Sequence, residues 1–222
     1  METEMKFRRT LLGFLFLLLS LICFSQSDSL ISRNNKSSNL KISFNSSLIY
    51  PGIRVGIEVP VYTVSLTKNI NRGKTKSILK ERFVSVNSGW YHHPGFHDNL
   101  YFTTEWTMRR TNKAGFFTEF NSGPGYSRTF LGATTYSVDN NGKVSIIRSA
   151  GYNYALIIAG GGLGFNFSEK RKIPLALFYK FDILTMFPYN STVYFRPAME
   201  LGIIYKPADF IKLLTKTRIV TK

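Results

Sequence analysis

The chain contains a single cysteine among its 222 residues, Cys23. It lies at the end of an apolar run that begins at Leu11 and follows three basic residues, an arrangement typical of a secretory signal peptide. The run closes in Cys23-Phe24-Ser25, a small-x-small cleavage site, so residues 1–25 are predicted to be a signal peptide. A chain cleaved after Ser25 has no cysteine, which excludes disulfides, iron–sulfur clusters and a thiolate nucleophile.

Long apolar runs that could form a spanning helix are also lacking. The N-terminal run holds about 14 residues, whereas a spanning helix needs roughly 20, so an uncleaved anchor is the weaker alternative. A lipoprotein signal would place a small residue before Cys23, and Ile22 occupies that position. No other continuous apolar run approaches about 18 residues, so the exported chain has no helical way to span a membrane.

Acidic residues are few, because 13 Asp and Glu stand against 29 Lys and Arg, for a net charge of +16. A basic balance of this size first suggests nucleic acid as a partner. The charges lack a recognition-helix setting, however, and an exported protein rarely meets nucleic acid, so that class is excluded. Lipopolysaccharide phosphates and anionic lipid head groups are the predicted counter-charges.

What the chain does have is alternation of apolar with small or polar side chains over residues 40–206, which predicts strands with one face in lipid and one in a polar lumen. Residues 26–39 are predicted to be a flexible periplasmic leader and residues 207–222 a basic C-terminal tail. A leader and a tail on one side require an even number of crossings. The predicted fold is an all-β, eight-stranded antiparallel transmembrane β-barrel with up-and-down meander topology. The predicted strands are Leu40–Tyr50, Ile53–Val61, Arg82–Tyr91, Leu100–Arg109, the two arms of a long hairpin, Leu175–Ile183 and Val193–Tyr205.

The long hairpin, residues 115–167, surrounds a turn signal at Asp139–Gly142. Each arm exceeds twenty residues, and about 9–11 are enough to cross a membrane, so this hairpin is predicted to project. The alternation changes phase at Gly123-Pro124-Gly125 and at Gly160-Gly161-Gly162. These positions are predicted to be bulge or bend sites that share a kink in the wall.

Charge orients the predicted barrel. If the long hairpin has an extracellular tip, the other outer turns are Pro51-Gly52, His92–His97 and Pro188–Ser191, which carry little charge. The turns at the opposite end are basic. The longest of them is predicted to be a polar connection from Lys68 to Lys80, although periplasmic turns are normally short.

Nine charged residues fall on the predicted inward faces. An eight-stranded lumen is only wide enough for side chains to fill, which predicts a structural plug of ion pairs and hydrogen bonds. A narrow polar channel or a buried catalytic cluster is the alternative. The predicted lumen charge network comprises Arg54, Glu58, Glu105, Arg109, Glu119, Lys180, Asp182, Arg196 and Glu200.

Two members of this network lie on the last strand. Arg196 and Glu200 are about 13 Å apart along the strand, too far to pair with each other, so each is predicted to find a partner of opposite charge across the lumen. The candidate partners are Glu58, Arg54, Glu105 and Lys180.

All three histidines cluster in one outer turn, as His92, His93 and His97. A metal site would combine them with Asp98, but Pro94-Gly95 indicates a turn without fixed ligand geometry. A hydrolase would pair one of them with a serine and an acid at the outer rim. An exposed loop is the simplest interpretation, so no metal, cofactor or catalytic residue is predicted.

The segment Phe24-Ser25-Gln26, the paired tyrosine-rich strands and the closing segment Glu200–Tyr205 resemble a small outer-membrane β-barrel protein of the Bacteroidota type. The closing segment is similar to the terminal signal read by the barrel-assembly machinery, although here the chain continues for sixteen residues beyond Lys206. The resemblance covers residues 40–206. It implies a fold, an outer-membrane location and that machinery as a partner, and no catalytic residue.

These observations predict a non-enzymatic outer-membrane protein with a structural, adhesive or partner-binding role and a possible external partner at the 115–167 hairpin. The alternatives are an enzyme that modifies lipid A or phospholipid with a rim histidine, or a narrow channel.

Overall fold

The computed structural model describes residues 31–47, 50–70, 74–171, 173–189, 192–208 and 210–221. The predicted signal peptide lies outside these residues. The strands are β1 (Ile31–Ser37), β2 (Asn39–Ser47), β3 (Tyr50–Ile70), β4 (Lys74–His93), β5 (His97–Asn112), β6 (Phe116–Leu131), β7 (Thr135–Val138), β8 (Val144–Ile147), β9 (Asn153–Asn166), β10 (Leu175–Tyr189), β11 (Thr192–Tyr205) and β12 (Lys212–Thr221), with one helical turn, α1 (Ser168–Arg171). No helix in this described part is long and apolar enough to cross a membrane.

Eight of the strands close into a barrel. Strands β2 to β6 and β9 to β11 each pair antiparallel with their neighbour, and β11 returns to pair with β2 from Tyr205↔Leu40 to Met199↔Ser46. The predicted eight-stranded antiparallel up-and-down barrel is therefore confirmed. It includes β2, the strand with the weakest alternation in the sequence.

Successive side chains point alternately into and out of the barrel, as the two-residue period of a strand requires. Along β5, for example, the inward residues from Asn99 to Thr111 are buried and most of the outward residues between them are exposed. The core therefore lies in the lumen, and much of the apolar surface lies outside.

The predicted bulges in the long hairpin are wrong. β6 and β9 pair without a register change from Phe116↔Phe165 to Arg128↔Asn153. The glycines serve close packing instead, because a Cβ at Gly160 would clash with the Asp182 carboxylate and one at Gly162 with the Lys180 side chain. Register breaks occur elsewhere, between Pro60 and Tyr62 and between Met186 and Tyr189.

The long hairpin projects, but its arms are interrupted. β6 ends at Leu131, and β7 and β8 form a separate two-stranded ribbon before β9 begins. The predicted turn at the tip is present, with the Asp139 carboxylate accepting the N–H groups of Asn141 and Lys143 and with Gly142 at a φ of 76°. Past the last β6–β9 pair, the Leu131 N–H still donates to the carbonyl of Ala150, and the Gly132 N–H donates to that of Phe96.

Two predicted turns are incorrect. Pro51-Gly52 lies inside β3, where Pro51 pairs with Ser46, and the link from β2 falls at residues 48–49, outside the described residues. The predicted Lys68–Lys80 connection is mostly ladder, because β3 and β4 stay paired to Ile70↔Lys74.

The structure also differs from the predicted flexible leader and basic tail. Residues 31–37 form β1 and residues 212–221 form β12. The β2–β3 ladder stops at Asn39↔Glu58, so the part of β3 after Glu58 has an unpaired edge on that side. β12 pairs with this edge in parallel from Tyr62 onward, and β1 pairs with the far side of β12. Backbone groups of an open edge can pair with a strand of any composition, so a polar sequence gives little sign of such strands.

Candidate functional site

The barrel lumen is the most distinctive site of the chain. Ten ionisable side chains of Lys, Arg, Asp and Glu in the described part are buried, five of each sign. Their formal charges cancel, so the +16 of the chain comes from residues outside this cluster. The cluster comprises all nine residues of the predicted lumen charge network together with Lys41.

Arg54 on β3 lies at the centre of the network. Its Nη1 donates to Glu200 Oε2 at 2.8 Å and to Asp182 Oδ2 at 3.2 Å, and its Nη2 pairs with Glu105. The planar guanidinium thus bridges three carboxylates from three other strands, which a lysine ammonium could not do with the same fixed geometry.

A second layer forms around Arg109 on β5. Its Nη2 lies 2.9 Å from Glu58 Oε1 and 2.7 Å from Glu119 Oε2. The guanidinium also stacks between Phe83 and Phe117, with its carbon 4.8 and 4.9 Å from the two ring centroids. Two carboxylates and two aromatic rings therefore hold this cation in position.

Two lysines extend the layers. Lys180 Nζ lies 3.2 Å from Glu200 Oε2 and 3.6 Å from Asp182 Oδ2, close to the centre formed by Arg54. Lys41 Nζ lies 3.8 Å from Glu58 Oε1. The sequence did not predict Lys41 as a lumen residue, because the apolar alternation of the first predicted strand is poor. The signal available was the pair Ile42 and Phe44, whose apolar side chains face outward and so place the odd-numbered residues between and beside them inward.

Neutral side chains supply further donors to the carboxylates. Asn121 Nδ2 donates to Glu105 Oε2 at 3.0 Å and to Asp182 Oδ1 at 3.2 Å, and Ser43 Oγ donates to Glu200 Oε1 at 2.6 Å. Burying a carboxylate is costly unless it is both paired and hydrogen-bonded, and these carboxylates meet both conditions.

Arg196 and Glu200 have different environments. Glu200 pairs with Arg54 and Lys180, two of the partners considered for the last strand. The prediction of an ionic partner for Arg196 is wrong, because no carboxylate in the described part lies within ion-pairing distance of it. Its guanidinium instead stacks on Tyr91, 3.6 Å from the ring centroid, and Nη2 donates to Asn45 Oδ1 at 3.4 Å.

The three histidines of the outer turn do not converge. His92 points outward and its Nδ1 lies 2.7 Å from Asp98 Oδ1, whereas His93 and His97 point inward with their rings 5.0 Å apart. Burial and the neighbouring His93 lower the pKa of His97. Within the described residues, no group of three or more His, Cys, Asp or Glu side chains is placed to hold a metal ion.

The outer surface of the barrel is apolar around its whole circumference. Each of the eight strands contributes outward side chains that are about two-fifths to three-fifths exposed, such as Trp106 at 38% and Leu201 at 62%. A continuous apolar surface of this size is unfavourable in water and favourable against lipid. One such residue from each strand is Phe44, Val55, Val86, Trp106, Phe120, Leu163, Phe181 and Leu201.

No protein-family model and no curated protein matches the chain. Among solved structures, the N-terminal β-barrel domain of OprF from Pseudomonas aeruginosa aligns at 9% identity and a TM-score of 0.39, covering 78% of this chain and 100% of that domain. The outer-membrane protein Ail of Yersinia pestis aligns at 12% identity and a TM-score of 0.39, covering 77% of this chain and 98% of that one. Similarity at this level is too low to transfer a function, so the function is inferred from the residues of this chain.

Proposed function

We propose that this chain is an outer-membrane β-barrel protein with a plugged polar lumen, and that its role is to hold a binding surface outside the cell. The filled, charge-balanced lumen is the observation that carries this proposal. Five cations and five anions occupy the space through which a solute would pass. Arg54 on β3 joins carboxylates of β5, β10 and β11 across this space, and Arg109 on β5 joins carboxylates of β3 and β6. A pore would need most of these contacts to break at once.

The exterior supports the membrane location. The apolar side chains around the barrel match the lipid-facing stripe of membrane-spanning strands, and the predicted signal peptide supplies the export route. Outer-membrane lipids and lipopolysaccharide are then the surrounding partners, and the barrel-assembly machinery is the partner during insertion. The Bacteroidota-type resemblance agrees with this assignment and remains a prediction.

The projecting ribbon formed by β7 and β8 supports a partner-binding role. The pairs Tyr136↔Ile146 and Val138↔Val144 place four apolar side chains on one face, each between 59% and 64% exposed. An isolated two-stranded ribbon is marginally stable in water, and an exposed apolar face of this kind is typical of an interaction surface. We infer an extracellular protein as the partner, because the ribbon extends from the end of the barrel that carries the uncharged turns.

Site-specific photo-crosslinking on intact cells tests this role. A crosslinking side chain at Val138 lies on the apolar face, and the same side chain at Ser137 lies on the opposite face and is the matched control. We expect protein crosslinks from position 138 and few from position 137. Equal labelling from both positions, or crosslinks to lipid alone, would contradict a protein partner. Fractionation should also recover the folded chain, with heat-modifiable mobility, in the outer membrane.

A lipid-modifying enzyme is the second candidate, favoured by one contact. His92 and Asp98 form a hydrogen-bonded pair on the outer side of the rim, each 46% exposed, next to the outward Trp90. In a hydrolytic triad, an acid orients a histidine that activates a hydroxyl nucleophile. Asp98 could serve as the acid for His92, but among the described residues no hydroxyl group forms a hydrogen bond with His92. Lipid A mass spectra of wild-type cells, a deletion strain and a variant with all three histidines replaced by Ala should be identical. A mass change that requires the histidines would favour the enzyme.

A further inference from the structure

A groove crosses the outer surface of the barrel on β4, β5 and β6. Its volume is about 350 Å³, within the range of about 300–1,000 Å³ that is typical of small-molecule sites. We call it the basic groove. Its outward-facing side chains are all exposed and form two rows across the three strands, Lys80, Arg110 and Thr118 in one and Arg82, Met108 and Phe120 in the next.

The basic groove lies at the end of the barrel opposite the ribbon. β6 begins at Phe116, directly after the turn that follows β5, and runs from there toward the ribbon, so Arg110 is close to the far end of the barrel. On the side toward the ribbon, Met108 and Phe120 lead to the outward ring of Trp106. The cations therefore lie at the edge of the apolar surface, where lipid headgroups meet a membrane-spanning barrel.

The three cations of the groove lie close together without an acid. Lys80 and Arg110 are directly opposite each other in the β4–β5 ladder, and Arg82 is two residues along the same face of β4, about 7 Å away. Like charges directly opposite one another in a ladder are destabilising. Arg82 packs against the Tyr62 ring, 5.4 Å from its centroid, and none of the three cations forms an ion pair with a described residue.

Two acids border the groove, but both belong to the opposite face of the sheet. Glu81 alternates with the two outward cations of β4, and its carboxylate lies 3.8 Å from Lys36 Nζ. Glu119 faces the lumen, where its carboxylate lies 2.7 Å from Arg109 Nη2. Both acids thus have a cation on their own side, and the outward cations of the groove lack a counter-charge from either.

We propose that the basic groove binds an anionic glycerophospholipid, with its headgroup phosphate held by Lys80, Arg82 and Arg110. A phosphate supplies the negative charge that these cations lack, and a guanidinium binds it through paired N–H donors. The adjacent Met108 and Phe120 favour a lipid over a free phosphate, because they offer an apolar surface to an acyl chain. The site rests on the proposed membrane location and not on the partner of the ribbon.

Lipid retention by the mature chain tests the proposal. The protein is folded into vesicles of phosphatidylcholine and phosphatidylglycerol with the same acyl chains, extracted in a non-ionic detergent and analysed with its bound lipid by native mass spectrometry. We expect phosphatidylglycerol to be retained in preference, because choline adds a positive charge beside three cations. Titration of the delipidated protein with phosphatidylglycerol gives Kd. Glycerol 3-phosphate, which carries a phosphate ester without acyl chains, should compete poorly.

A triple variant decides whether the basic groove is the site. A basic residue near a membrane surface contributes about 1 kcal/mol to the attraction of anionic lipid, which is about fivefold in Kd. Lys80→Gln, Arg82→Gln and Arg110→Gln together should therefore raise the Kd for phosphatidylglycerol by about a hundredfold. If the triple variant does not fold, the three single variants decide, each with an expected loss of about fivefold.

A control variant removes the same charge near the ribbon. It combines Arg128→Gln, Lys143→Gln and Arg148→Gln, and its Kd should match that of the wild type. The proposal fails if phosphatidylglycerol is not preferred, if glycerol 3-phosphate competes as well as the lipid, or if the two triple variants weaken binding equally. A chain that folds into none of the vesicles would instead overturn the proposed membrane location, and the lipid site with it.

Discussion

Replacing Arg54 with Met removes the cation on which the centre of the lumen depends. The three carboxylates that it contacts are not equally dependent on it. Glu200 keeps Lys180 at 3.2 Å and Asp182 keeps Lys180 at 3.6 Å. Glu105 keeps only neutral donors, from Asn87, Asn121 and Thr103, because Arg54 is its single ion-pair partner among the described residues.

The magnitude follows from this asymmetry. Removing one partner of a buried ion pair costs about 3–5 kcal/mol, because the remaining charge stays buried. We therefore expect Arg54→Met to lower the free energy of unfolding by about that amount, with Glu105 as the main source. Adding Glu105→Gln should restore about 2 kcal/mol or more, because a neutral amide can still accept from Asn121 without needing a cation.

A matched double variant separates local pairing from net charge. Arg54→Met with Glu105→Gln and Arg54→Met with Glu200→Gln both leave four buried cations and four buried anions, since each removes one of the five of either sign. If net charge decided stability, the two would recover equally. We expect the Glu105 combination to recover more, because Lys180 already neutralises Glu200.

Urea unfolding in detergent micelles measures the difference, with tryptophan fluorescence and the mobility of unboiled samples as independent probes. The coupling energy between position 54 and each acid comes from the corresponding double-mutant cycle. An Arg54→Met, Glu105→Gln protein that is no more stable than Arg54→Met alone would refute the reasoning, as would equal recovery by the two doubles.

Three other outcomes are expected. Met199→Arg, at the middle of the outward face of β11, should cost about 2–4 kcal/mol in a bilayer, whereas Val144→Arg on the ribbon should change stability by less than about 0.5 kcal/mol. Urea titration of the proteins folded into lipid bilayers measures both, and equal effects would argue against a lipid-facing β11. Planar-bilayer recordings of the wild type should show no steady conductance, and a stable open pore would make the protein a channel. The pKa of His97 is lowered in the folded chain, so as the pH falls below about 6.5 the unfolded chain takes up a proton more readily than the folded one. The free energy of unfolding should therefore decrease over this range, and the decrease should be smaller in His97→Gln. An identical pH profile for the two proteins would exclude His97 as the cause.

The inward position of the lumen charges could be read from sequence because it depends only on the two-residue period of a strand. Arg54 and Glu58 share a face with glycine, opposite an apolar face that begins at Ile53, and the barrel preserves that pattern. Eight crossings followed from the number of alternating segments and from the need for an even count. Both are local properties of the chain.

The partners of those charges were decided by tertiary structure. Glu200 and Arg196 lie on the same face of the same strand, yet Glu200 pairs with two cations and Arg196 stacks on the ring of Tyr91. The difference arises because the side chains opposite each of them come from strands far away in the chain, at heights fixed by the stagger of the closed sheet.

The glycines and the terminal strands show the same limit. Gly160 and Gly162 appear in the sequence as breaks in a pattern, and only the neighbouring strand shows that they make room for Asp182 and Lys180. β1 and β12 are possible because the β2–β3 ladder stops at Asn39↔Glu58, the first residue of β2, and leaves the later edge of β3 to be paired. An open edge offers backbone groups that accept a strand of any composition, so no pattern within residues 31–37 or 212–221 could have revealed it.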